Sequence, residues 1–146
     1  MDFDLHKDKS VCEVAGRLSA SRSPMSLEVC GSWGSFGPLM ASYLYRDINA
    51  PFVYICPHTD DADKTADDLA AFGVASPSVF PAFEDMQQMV DASDEVFSRR
   101  LKICCDLYRG RRPFVVVPVQ ALCQPAEDPE DVLKRSLRIT SGGQLS

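Results

Sequence analysis

Two short runs constrain the fold of this chain more than any other feature. Phe52-Val-Tyr-Ile-Cys56 and Phe114-Val-Val-Val117 are apolar throughout, and each follows a proline. A strand with no polar face must be covered on both sides, which is the situation of strands in a parallel sheet with helices above and below. The sequence around them alternates accordingly. Residues 60–72 read as a helix with Ala62, Ala66 and Leu69 on one stripe, and Gly73 is a suitable stop. Residues 77–80 read as a short strand and residues 81–91 as a loop. Residues 93–109 form the longest helical pattern. There Phe97, Leu101, Cys104 and Tyr108 share an arc flanked by Val96, Ile103 and Leu107, and Gly110 ends it. Upstream, Leu27-Glu-Val-Cys30 alternates like a strand and runs into the loop 31–38. Leu39, Met40, Tyr43 and Leu44 then follow at helical spacing. Pro38 suits the first turn of that helix, where its missing N–H costs nothing. Residues 120–133 read as short helical turns broken by Pro125 and Pro129, and residues 137–139 as the start of a further strand. The order β-loop-α-β-α-β-α-β predicts an α/β fold, a parallel sheet flanked by helices.

The 146 residues suit one domain, here 25–146, preceded by a polar N-terminal extension, 1–24. That extension holds a short amphipathic stretch, 11–18, and ends in a Ser-rich linker. Acids outnumber bases 21 to 15, for a net charge of −6, so the surface repels phosphate backbones at long range. No apolar run approaches the roughly 20 residues of a membrane span. The first ten residues carry no apolar secretory core. The six cysteines form no C-x-x-C pair and match no zinc-site spacing, so they read as free thiols in a reducing cytoplasm.

The loop Gly31, Ser32, Trp33, Gly34, Ser35, Phe36, Gly37 and Pro38 is the most informative candidate. A glycine-rich turn between a strand and a helix is where α/β proteins hold phosphates on backbone amides. The working form is G-x-x-x-x-G-K-[ST]. Set against it from Gly31, the chain has Phe36 at the second glycine, Gly37 at the lysine and Pro38 at the hydroxyl position. Phe36 resists positive φ, Gly37 supplies no cation, and Pro38 offers neither a magnesium ligand nor an amide. On spacing alone a plain strand-to-helix turn fits slightly better than a decayed phosphate loop. Under either reading ATP hydrolysis is not expected, and no catalytic residue or cofactor is assigned.

Two other clusters carry charge. His58, Asp60, Asp61 and Asp63 would suit a metal-assisted hydrolase if they converged, with Asp67 and Asp68 behind them. The same residues open a helix after a buried strand, where caps and acids belong, and that reading is stronger. No metal site is therefore assigned. Arg99, Arg100, Lys102, Arg109, Arg111 and Arg112 form a basic cluster. Arg100 alone falls inside the apolar arc of its helix, where a guanidinium needs a carboxylate or carbonyl partner. It reads as a structural clamp, and the others as a solvated face. A standalone phosphate-binding α/β module remains a third reading. His6 and Trp33 point to solvation and to packing.

In order, Gly31-Ser-Trp-Gly-Ser-Phe-Gly-Pro-Leu39, Phe52-Val-Tyr-Ile-Cys-Pro-His58, Asp60-Asp-Ala-Asp63, Asp67-Asp-Leu69, Val79-Phe-Pro-Ala-Phe-Glu84, Ser98-Arg-Arg-Leu101, Val115-Val-Val-Pro-Val-Gln-Ala-Leu122 and Gln124-Pro125 resemble the N-terminal, UvrB-like region of bacterial transcription-repair coupling factors, also called Mfd. The resemblance covers about residues 27–145 and leaves 1–24 unmatched. It implies a RecA-like (P-loop NTPase-like) subdomain whose phosphate loop has degenerated, which agrees with Gly37 and Pro38. It implies a non-enzymatic role in transcription-coupled nucleotide excision repair, in the cytoplasm. The parent family is an ATP-dependent DNA translocase that displaces stalled RNA polymerase and recruits UvrA. The partners implied are the remaining subdomains of such a parent. UvrA would be bound weakly at most, because its recruiting subdomain begins where this chain ends, at Gly142-Gly-Gln-Leu145. RNA polymerase and DNA would be reached only through domains further downstream. The resemblance thus implies a truncated chain.

Overall fold

The computed structural model describes residues 5–84, 94–126 and 128–135. The expected strand at 137–139, Ser93 and most of the loop 81–91 lie outside them. A 3-10 turn, Leu5–Lys7, leads into α1 (Lys9–Ala20). Asp8 caps that helix, its carboxylate accepting from the amides of Ser10 at 2.9 Å and Val11 at 3.0 Å. The amphipathic stretch is the side on which α1 packs. Its Val11 and Ala15 are buried with Met40, Tyr43 and Leu44 of α2 (Phe36–Asp47). Residues 5–20, read from sequence as a polar extension, are therefore an ordered layer against the second helix.

β1 (Phe52–Cys56) follows, then α3 (Thr59–Ala71), β2 (Ser78–Val79), α4 (Asp94–Tyr108) and β3 (Phe114–Pro118). Two short helices close the described chain, α5 (Val119–Leu122) and α6 (Pro129–Arg135). Pro129 starts α6 instead of breaking it, which suits a residue without an N–H. Gly73 ends α3 with φ +88°, and the amides of Gly73 and Val74 return to the carbonyls of Ala70 and Leu69.

The described residues are mixed α/β with a small, open, all-parallel sheet of three strands in the order β1-β3-β2. Phe52 pairs with Phe114 and Cys56 with Pro118; Ser78 pairs with Val115. β3 is buried along its whole length because it alone has a strand on each side and helices on both faces. On one face Cys56, Phe114 and Val116 pack with Ala41 of α2 and with Ala62 and Leu69 of α3. Tyr45 adds edge-on contacts to the rings of Phe52 and Phe114. On the other face Val115 and Val117 pack with Phe80, Ile103 of α4 and Ala121 of α5. That second cover does not reach β1. Val53 and Ile55, which alternate onto it, are 47% and 55% exposed.

Two expectations need correction. Residues 27–30 join no strand. They lie in an exposed extended segment, so the sheet lacks the first strand of the expected order. A four-residue alternation sets which side is apolar, but pairing depends on an available edge at the right height. The buried arc of α4 is also turned from the one expected. Arg100 and Ile103 are its centre, whereas Phe97 and Tyr108 are 38% and 53% exposed. The turn brings the guanidinium to its acceptors. No described helix is long and apolar enough to cross a membrane.

Candidate functional site

The glycine loop is the first place to look for chemistry. Gly31 and Gly34 adopt positive φ, at 81° and 54°, which lets the chain fold back before α2. Residues 31–35 are exposed, and Trp33 at the apex is 86% exposed. No strand precedes the loop, so nothing in the sheet aims its amides at a common point. The Phe36 amide is already bonded to the Trp33 carbonyl at 3.2 Å. α2 begins at Phe36, and Pro38 falls in its first turn and is buried.

Gly37, at the position where a working loop has lysine, meets β1. A Cβ there would lie 2.7 Å from Tyr54 Oη, closer than a side chain tolerates. Position 37 thus lies against the tip of the Tyr54 side chain. Burial, and then the charges of Cys56 and Asp68, push the Tyr54 phenol above its ordinary value of 10.0.

His58 and Asp60 are exposed at the start of α3, as is Asp63, while Asp61 is half-buried. His58 takes the N-cap position without a side-chain cap bond. Among the described residues no group of three or more His, Cys, Asp or Glu side chains is placed to hold a metal. The acids instead face the positive end of the helix and water, so the hydrolase reading finds no converged donor set.

A buried polar cluster surrounds Arg100. The residue is 4% exposed. Its Nη1 donates to the Pro81 carbonyl at 2.7 Å and its Nη2 to the Pro125 carbonyl at 2.9 Å. The guanidinium also lies over the rings of Phe80 and Phe83, 4.3 and 4.7 Å from their centroids. It joins the segment after β2, α4 and the segment after α5. Gln124 locks the same segment from the side. Its Oε1 accepts from the Phe83 amide at 2.7 Å and its Nε2 donates to the Phe83 carbonyl at 2.8 Å. Sequence reasoning missed this second grip, because nothing in a lone glutamine marks a backbone forty residues away.

A cavity of about 100 Å³ lies beside the guanidinium between Phe83, Leu101, Cys104 and Pro125. Burial lowers the Arg100 pKa below its ordinary value, with Cys104 opposing. Burial also raises the Cys104 thiol above 9.0, with Arg100 pulling it back. The rest of the basic cluster is solvated: Arg99 pairs with Glu95 at 2.7 Å and Arg111 with Asp106 at 3.1 Å.

The raised pKa values set a pH dependence. Tyr54 and Cys104 hold their protons more tightly folded than unfolded. Their contribution is complete below the unfolded values, 9.0 for the thiol and 10.0 for the phenol, and is lost as pH rises through the folded ones. Thermal melts are expected to hold a level Tm up to about pH 9 and then to fall. A Tm that stays level to about pH 11 would contradict the assignment.

No family model, no curated protein and no solved structure matches the chain.

Proposed function

We propose that the chain is a non-catalytic structural and interaction module, laid out like the RecA-like first subdomain of a bacterial transcription-repair coupling factor. In this reading it serves transcription-coupled nucleotide excision repair in the cytoplasm by packing against neighbouring subdomains of a translocase. UvrA, RNA polymerase and DNA are engaged by those neighbours. The ordered sequence resemblance supports the family context.

One observation carries the non-catalytic part. The loop that would cradle a triphosphate has glycine and proline where a cation and a hydroxyl are required, and the glycine is packed against Tyr54. A nucleotide set there would find no positive side chain on its β- and γ-oxygens and no side-chain ligand for magnesium. Catalysis by charge stabilisation therefore has no agent in the loop, and contact is the remaining role.

Titration of Mg-ATP into the purified chain, followed by calorimetry, is expected to give no saturable heat up to about 1 mM nucleotide. Saturable binding in the micromolar range, weakened by substitution at Gly34 or Gly37, would overturn the reading.

A further inference from the structure

β1 is an edge strand, with no strand paired on its outer side among the described residues. Its backbone alternates in a way that can be read from one bond. The Phe52 amide donates to the Pro113 carbonyl, so residues 52, 54 and 56 turn their amides and carbonyls toward β3. Residues 53 and 55 turn theirs outward, and so do the flanking positions 51 and 57. Both flanking positions are proline, which has no amide to leave unpaired. The outward row is thus Pro51, Val53, Ile55 and Pro57, with a proline at each end and two β-branched residues between. Between the prolines the strand carries no charge, and no bulge interrupts its ladder with β3. The prolines and the shortness of the strand blunt this edge at both ends and leave only Val53 and Ile55 open to strand addition.

We infer that β1 pairs with β1 of a second copy, antiparallel, about a two-fold axis at Tyr54. This rests on the reading of the chain as one that works by contact. In that register Val53 lies opposite Ile55 of the partner chain, and the two exchange both of their outward hydrogen bonds. The symmetry repeats the exchange on the other side of the axis. Each Pro51 meets a Pro57, so no amide is orphaned at either end. Registers displaced to either side place an outward amide against proline and lose reciprocal bonds. The half-exposed Val53 and Ile55 side chains meet their counterparts on the uncovered face, adding cross-strand contact between β-branched residues. The two sheets become one sheet of twice the width, and the isologous contact closes without leading to fibres.

The paired stretch is short beside the roughly 1,600 Å² of a standard interface, so weak, concentration-dependent association is expected. The charge of −6 on each chain opposes it, and added salt should strengthen it.

Sedimentation equilibrium from about 10 µM to about 1 mM at physiological salt is the direct test. A monomer–dimer equilibrium is expected within that range. Val53→Lys and Ile55→Lys, both at exposed positions, should each raise the dissociation constant at least about tenfold while leaving the circular dichroism unchanged. Hydrogen exchange at the Val53 and Ile55 amides should slow as the dimer forms. A chain that is monomeric at about 1 mM overturns the inference, as does a dimer indifferent to both lysines. Amides equally protected at all concentrations would also overturn it, because the edge would then be filled from within. None of these outcomes touches the Mg-ATP titration, so the pairing can fail while the non-catalytic reading stands.

Discussion

Replacing Arg100 with methionine is expected to lower the unfolding free energy by about 2–4 kcal/mol. Methionine keeps most of the length and apolar volume of the side chain, so a cavity is not the main loss. The loss comes from the two charge-assisted hydrogen bonds to the carbonyls of Pro81 and Pro125. The rings of Phe80 and Phe83 also lose the cation that lies over them. Arg100→Lys should recover less than half of the loss. An ammonium is a point charge and cannot reach two carbonyls on different segments while lying flat over two rings. Urea unfolding followed by circular dichroism measures both changes. A loss below about 1 kcal/mol for the methionine variant would show that Arg100 is not the clamp between these segments.

The second large effect concerns Gly37. In an open helix, glycine to alanine gains about 1 kcal/mol. Here the same change is expected to cost about 1–3 kcal/mol, because the new methyl meets Tyr54 Oη at 2.7 Å and the half-buried tyrosine ring must shift to admit it. Tyr54→Phe removes the obstacle, since the ring carbon behind the hydroxyl lies at an ordinary 3.8 Å. Gly37→Ala placed in that background should therefore be neutral or stabilising. If the two substitutions add independently, the contact is not what keeps position 37 empty. The pair also bears on nucleotide chemistry. Phe36→Gly, Gly37→Lys and Pro38→Ser together would write the full motif into the sequence, yet the lysine would meet Tyr54 Oη where it stands.

How much was legible beforehand differs from element to element. β1 and β3 were readable because a strand buried on both faces must be apolar throughout, and prolines mark where each begins. α3 was readable from one stripe of small residues and a terminal glycine. Residues 27–30 were misread because an alternating pattern is a property of the segment, whereas pairing is a property of the neighbour. Arg100 was conspicuous as a charge within an apolar arc, which is enough to demand buried acceptors. That those acceptors are proline carbonyls from two distant segments is a matter of tertiary placement that no local pattern encodes. The arc of α4 was misjudged for a related reason. Counting apolar side chains put Phe97 and Tyr108 at its centre, but a guanidinium with two carbonyls and two rings to meet outweighed them.

The sheet order has a consequence for how the chain must be made. Among the described residues β1 and β2 each pair with β3 and not with each other. β3 is the last of the three to leave the ribosome, so the two earlier strands emerge with no partner for their backbones. Until residues 114–118 clear the exit tunnel, helices can form but the sheet cannot. The apolar segment at 52–56 is then the stretch a nascent-chain chaperone would find first, and a pause in translation beyond that point would prolong its exposure.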